Sequence, residues 1–400
     1  LTGNYLQVNI KIKGKYMNSR KITAEKNQLF EDVFDGKMPE RVPILSSGDN
    51  SFCLGYVGFD LRREQYSIEK NLEAIEKTTK DFDTDSIFAT MVRIPQMYKV
   101  LGAKNFVMGG DGFLQHPEVT SLNENDYDDL IEDPFKTICD KALPQIYNEF
   151  GKEGFEGKSA FAKGMFTFYS VMDQLDKGYL KIAEKHGKAV YNMACTAACT
   201  PFDVLSDQLR SFTGISKDMR RCPDKVEAAC EALLPCMVKA GIKPNSSRYQ
   251  RTFIPLHMAP YMRTKDFERF YWPTFKKYVE ALDKAGVGAT IFVEQDWSRY
   301  YDYLFDLPEN TMMIFEEGDP SEIKKKLGKK HILAGFYPMG VLKTGTEKDC
   351  LDKAKEIVDV LAPGGKYIFT LDKNLLTVRD INPENLKAVL RFVKEYAVYA

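Results

Sequence analysis

Residues 318–369 read GDPSEIKKKLGKKHILAGFYPMGVLKTGTEKDCLDKAKEIVDVLAPGGKYIF, and the fold turns on this stretch. The run HILAGFY (331–337) is apolar, aromatic and partly β-branched, as a buried strand is. It lies between helical periods at Pro320 to Leu327 and Glu347 to Leu361, and a second such run, KYIFTL (366–371), follows. Short apolar runs alternating with amphipathic helical stretches are the pattern of βαβ units and a parallel sheet, with each crossover right-handed.

The same rhythm extends in both directions. Upstream lie TFIPLH (252–257), ATIFVE (289–294) and TMMIF (311–315), with helices expected from Asp266 to Ala285, Ser298 to Leu304 and, at the C-terminal end, Pro383 to Tyr396. In the first of these helices Phe267, Phe270, Tyr271, Phe275, Tyr278 and Leu282 fall on one broad face, with Thr264 as a cap, Gly286 as the stop and Pro273 as a kink or break. The first half repeats the theme less regularly: VPILSS (42–47), DSIFATM (85–91), NFVMGG (105–110) and AVYNMAC (189–195) read as strands, and 67–81, 158–185, 203–213 and 223–241 as helices. The expectation is an α/β fold, a single (β/α)8 TIM barrel over 23–400, preceded by an N-terminal extension over 1–22 and carrying extra helices in its first half. An open doubly wound sheet is the alternative, but no glycine-rich dinucleotide or phosphate loop follows any of the strands.

Four hundred residues with 44% hydrophobic content bury a full core, and 56 basic residues nearly balance 57 acidic ones. No segment is basic enough to track nucleic acid or a membrane surface. The eight cysteines form no CxxC pair, so free thiols in a reducing cytoplasm are expected rather than a disulfide scaffold. Leu1 to Arg20 does not read as a leader, and no run reaches the roughly 18 apolar residues of a membrane span.

In such a barrel, chemistry gathers at the C-terminal ends of the strands. The polar residues that close the runs are His257; Glu294 and Asp296 with Trp297; Glu316, Glu317 and Asp319; Tyr337; and Asp372 with Lys373. Asp296 and Asp319 also suit helix caps. Glu294 ends an apolar strand, where a carboxylate needs a partner, a ligand or a metal. His257 and Glu294 together supply an imidazole and a carboxylate for acid–base or metal-assisted chemistry, so both are candidate metal ligands as well as catalytic groups. Asp296, Tyr337 and Asp372 complete the catalytic candidates. Phe202 and Trp297, with Tyr56, Phe59, Tyr300 and Tyr337, are candidates for stacking on a flat ligand.

Several segments carry a resemblance to a known family. TAEKNQLFEDVFDGKMPERVPI (23–44), FDTDSIFATMVRIPQMYKVLGAK (82–104), TPFDVLSDQLRSFTGISKDMRRCPDKVEAACEAL (200–233) and the 318–369 stretch are similar to the uroporphyrinogen decarboxylase superfamily, which includes cobalamin-dependent methyltransferases. The resemblance implies the barrel and two activities. The decarboxylases bind an acidic tetrapyrrole without a cofactor, through an arginine-rich loop and an Asp. Here the loop reads GDNSFCLGYVGFDLRREQY (48–66), leaving Arg62, Arg63, Arg93 and Arg210 to bind substrate carboxylates, and ATMVR (89–93) has no acid. The methyltransferases use a zinc motif, His-x-Cys and a later Cys. Here it falls on His257-Met258-Ala259, and GGKYIFTLDKN puts Asp372 and Lys373 where the second cysteine belongs. The resemblance therefore implies methyl transfer with a corrinoid carried by a partner protein, to or from a small molecule and without the thiolate-rich zinc site. The alternatives are a lyase of porphyrin biosynthesis and a non-catalytic barrel binding a tetrapyrrole or a small acid. Dimers are common among the decarboxylases, so a homodimer is a further expectation, with no nucleic acid or membrane partner.

Overall fold

The computed structural model describes residues 20–89, 93–191 and 196–399. A small antiparallel hairpin pairs β1 (Val107–Met108) with β2 (Leu114–Gln115). Six strands form one parallel sheet in chain order: β3 (Thr196–Ala197), β4 (Thr252–Leu256), β5 (Ala289–Val293), β6 (Met312–Phe315), β7 (Ile332–Tyr337) and β8 (Tyr367–Leu371). Sequential parallel neighbours, each joined by a helical crossover, are the wall of a barrel.

The circle is continued by three irregular extended segments. Ile44 bridges Phe369 of β8 in parallel, and Asp85 N donates to the Ile44 carbonyl at 2.9 Å. Ser86 in turn bridges Ala189, whose chain runs on to β3. The buried clusters follow the same circle. Leu45, Ala189, Met312, Ile314, Ile332, Ala334 and Ile368 form one buried cluster against which Phe253 and Phe292 pack, so side chains from both ends of the strand order meet in the middle. Their sequence neighbours Ile254, Leu256, Ile291, Val293, Met313, Phe315, Leu333 and Phe369 belong to the other cluster, between the sheet and the helices. This is the period-two alternation of a wall buried on both faces.

A helix over 20–34 closes one end, with Phe30, Val33 and Phe34 packed into the lumen cluster. Fully burying each such side chain contributes about 1.5–3 kcal/mol. The helices after the strands begin where the sequence indicates. Asp319 caps Pro320–Leu327 by accepting from Ser321 N at 2.7 Å and Glu322 N at 3.0 Å. Pro273 splits its helix as expected: a wide turn, Phe267–Tyr271, separates Thr264–Asp266 from Trp272–Lys284, because proline has no N–H for the regular ladder.

NFVMGG departs from expectation. It supplies β1 of the isolated hairpin, not a wall strand, since two glycines turn the chain back within a few residues. Parts of DSIFATM and AVYNMAC lie outside the described residues.

Candidate functional site

Alternation fixes which strand-end residues face inward. Phe253 and Phe292 pack against the lumen, so His257 and Glu294, in phase with them just beyond β4 and β5, meet at the mouth. His257 Nε2 lies 3.3 Å from Glu294 Oε1, and Nδ1 makes a short hydrogen bond with Asp207. The imidazole is thus held between two carboxylates. Burial alone would lower its pKa, but the hydrogen bonds to Asp207 and Glu294, with the nearby Asp203 charge, push it up to about 11. The side chain remains 38% exposed, so this charged ring is open to an incoming molecule.

A third acid sets the ring's backbone. Asp203 lies just after β3, fully buried, in the helical turn Pro201–Asp203, and it accepts from Met258 N at 3.0 Å, Tyr271 Oη at 2.6 Å and Thr200 Oγ1 at 3.0 Å. His257 N approaches the same carboxylate at 3.4 Å. Burial, then the Asp207 charge, raise the Asp203 carboxyl to about 6. Asp203 and Asp207 were not singled out by the sequence reading. Their spacing, four apart after a strand end, was the available signal, because it places two acids on one helical face.

The ends of β6 and β8 carry a further set. Glu316 accepts from Lys373 Nζ at 2.6 Å and from Gln295 N at 3.0 Å. Asp372 accepts from Met339 N at 3.1 Å, and burial raises its carboxyl to about 6. Glu317 is exposed beside this group.

Other candidates lie elsewhere. Tyr337 points out of the barrel, fully buried, and donates to the Cys350 carbonyl at 3.0 Å; the left-handed residues Gly335 and Phe336 break the alternation before it. Trp297 is buried too and donates to the Glu294 carbonyl at 2.9 Å, so it braces the turn instead of stacking on a ligand. Phe202 packs in the core beside Tyr271. Asp296 accepts from Ser298 N at 2.8 Å, as a cap does. The arginines are also committed: Arg62 to Asp60 at 3.0 Å, Arg93 to Asp49 at 3.2 Å, and buried Arg210 to Asp218 at 2.6 Å. Arg63 sits on the exposed turn Leu61–Glu64.

The residues do not fit the thiolate zinc site of the resembling methyltransferases. Ala259 offers no ligand, both ring nitrogens of His257 are taken by carboxylates, and among the described residues no group of three or more His, Cys, Asp or Glu is arranged to hold a metal. Seven described cysteines are free thiols, and Cys195 lies outside the described residues, as does most of ATMVR. No described helix is long and apolar enough to cross a membrane.

A parallel α/β barrel with a charged cluster at its C-terminal mouth defines the class of protein. The uroporphyrinogen decarboxylase (URO-D) family matches residues 181–396, and the chain belongs to that family. Among solved structures, a methyltransferase from Methanosarcina mazei has the same fold at 16% identity, covering 94% of this chain and 99% of that one, with a TM-score of 0.62. No curated protein matches by sequence.

Proposed function

We propose that the protein demethylates a small O- or N-methyl compound, passing the methyl group to a corrinoid carried by a partner protein. The observation that carries this reading is the His257 imidazolium between Asp207 and Glu294, partly exposed where the resembling methyltransferases hold zinc. A corrinoid would supply the nucleophilic metal centre that takes the methyl group. The lumen below the mouth is filled: the cavity bounded by Phe292, Ile314 and Lys373 has about 10 Å³ of free space, room for one water at most. A macrocycle would therefore be presented from outside.

The chain's own contribution is proton delivery. The methyl–oxygen bond breaks, its electron pair stays on the oxygen, and that oxygen takes the proton from His257 Nε2. The 3.3 Å contact to Glu294 is long enough for a substrate atom to replace it. With the Glu294 contact given up, the Asp207 hydrogen bond still favours the charged ring, which gives its proton to the alkoxide or phenolate, and Asp207 holds the ring in place throughout. The decarboxylase reading draws less support, because Arg62, Arg93 and Arg210 already have their own carboxylates.

The test is incubation of the purified chain with reduced free cobalamin and a panel of small methyl ethers and methylamines. Demethylated product by mass spectrometry, with a change in the cobalamin absorbance, is expected, and His257→Gln should lower the rate by about 10²-fold or more. No product from any donor counts against the proposal, and conversion of uroporphyrinogen to a less carboxylated porphyrin would replace it with the lyase.

A further inference from the structure

The helix Gly154–His186 is the longest among the described residues, and its two faces differ. Inward, Val171, Leu175 and Ile182 are buried, and Gly164 and Gly178 let Leu101 and Leu72 approach so closely that a Cβ would collide with them. Outward, Phe155 is 85% exposed, Phe166 77%, Tyr169 65% and Leu180 54%. With the exposed Lys158, Ala162, Asp173 and Asp176 they recur three or four residues apart, and at about 3.6 residues per turn they form one stripe roughly 80° wide and ~37 Å long. Single exposed apolar residues need no account, but an aromatic seam at coiled-coil spacing does. The inner face already holds the helix to the rest of the chain. The helix also lies almost wholly ahead of residues 181–396, the part matched by the family.

The stripe has a symmetry that selects its partner. Phe155 and Leu180 lie equally far from the midpoint between Phe166 and Tyr169. A two-fold axis through that midpoint, joining two copies of the helix antiparallel, sets Phe155 against the partner's Leu180 and Phe166 against the partner's Tyr169, each contact occurring twice. The charges agree with this direction. Lys158 and Asp176 lie on the same flank of the stripe, and among the described residues neither makes an ion pair. The axis leaves Lys158 one residue along the helix from the partner's Asp176. Asp173, nearer the middle, meets the partner's Ala162 and is paired with its own Lys177 at 2.7 Å. Lys177, level with the partner's Lys158, lies on the other flank. Parallel helices would instead set lysine on lysine and acid on acid. A lipid surface would have to take up Asp173 and Asp176 along with the aromatic rings, and lipid tails offer those acids no partner.

We infer that this helix is the docking surface for a second copy of the chain, the two joining antiparallel about a two-fold axis between Thr167 and Phe168. Four large apolar side chains from each copy form the seam, and two Lys158–Asp176 ion pairs fix its register. The inference rests on this helix alone and is independent of the chemistry at the mouth.

The test is the mass of the full chain in solution by sedimentation equilibrium. A dimer, twice 45.7 kDa, is expected at about 50 μM. Phe166→Glu and Tyr169→Glu, both at exposed positions, should keep the circular dichroism of the wild type and weaken the dimer by about 100-fold or more. Lys158→Asp and Asp176→Lys should each weaken it about tenfold, and the two in one chain should restore it, since the swapped charges meet again across the axis. A wild-type chain that stays monomeric at that concentration would overturn the inference, as would a dimer that Phe166→Glu and Tyr169→Glu leave intact. Monomers that bind anionic vesicles through these aromatic residues would give the stripe to a membrane instead. A double charge variant no tighter than either single one would rule out the antiparallel register.

Discussion

At the mouth of the barrel a partly exposed histidine stands between two ionisable acids, whereas at the floor, the opposite end, the buried Arg251 meets only carbonyl and hydroxyl oxygens. Both are cations at the ends of neighbouring segments of the same strand, β4. Groups that titrate surround the first, so protons can move there. Neutral acceptors that cannot titrate surround the second, which fixes strands in place. Barrels of this kind commonly divide chemistry and stability between their two ends, and here the division can be read from the partners of two residues a few positions apart.

The largest break in this comparison is expected at the floor. Arg251→Met leaves three carbonyls and the Thr290 hydroxyl without their shared donor, and should cost about 4 kcal/mol in urea unfolding. A loss under about 1 kcal/mol would mean that the guanidinium does not hold the strand ends together. At the mouth, Tyr271→Phe removes a 2.6 Å bond to a buried carboxylate and should cost about 2 kcal/mol. The same change should raise the Asp203 pKa further, since the tyrosine hydroxyl holds it down; carbon-13 NMR of the carboxyl carbon would reveal an unmoved titration if this is wrong.

A smaller effect tests the histidine itself. Its folded pKa, about 11, stands above the ordinary value near 6.5, so its contribution to stability is fully present below about pH 6.5 and is lost as pH rises towards 11. Screening of a side chain 38% exposed limits that contribution to about 1 kcal/mol. The stability difference between wild type and His257→Gln should shrink steadily over that window, and a constant difference would contradict the double pairing. One further substitution should stabilise instead. Asp372 has its carboxyl raised from 3.8 to about 6, so its stabilising protonated form is lost as pH rises through 6. Asp372→Asn should be more stable than wild type at pH 8, by about 3 kcal/mol for that rise, and equal to it at pH 3. A destabilised variant at pH 8 would show that the carboxylate is held by a partner and not merely buried.

What could be read from the sequence follows from regularity. From β4 onward each strand is followed by a helical connection, so the apolar runs and helical periods marked the main elements nearly to the residue, as at Pro320–Leu327, Glu347–Leu361 and Pro383–Tyr396, while the short helix Met339–Thr344 went unmarked. Before β4, the wall is made by single bridges at Ile44 and Ser86, too short to impose a pattern, and the hairpin at Val107 imitates a strand. The inward direction of His257 and Glu294 was implicit in strand parity. Tyr337 was misplaced because two left-handed residues reset that parity, which composition does not announce. Asp203 and Asp207 lie in the helical stretch that begins at Pro201, several residues beyond the run AVYNMAC (189–195), so the rule of looking at the residues that close a strand stops short of them.

The helix over 20–34 has a consequence for the order in which the molecule is made. Phe30, Val33 and Phe34 leave a ribosome roughly three hundred residues before their neighbours Met312, Ile332 and Ile368. Until those arrive this apolar face has no native surface to cover it. Contacts spanning some three hundred residues of chain make for slow folding, and the waiting face is where a nascent chain would stick to itself or recruit a chaperone.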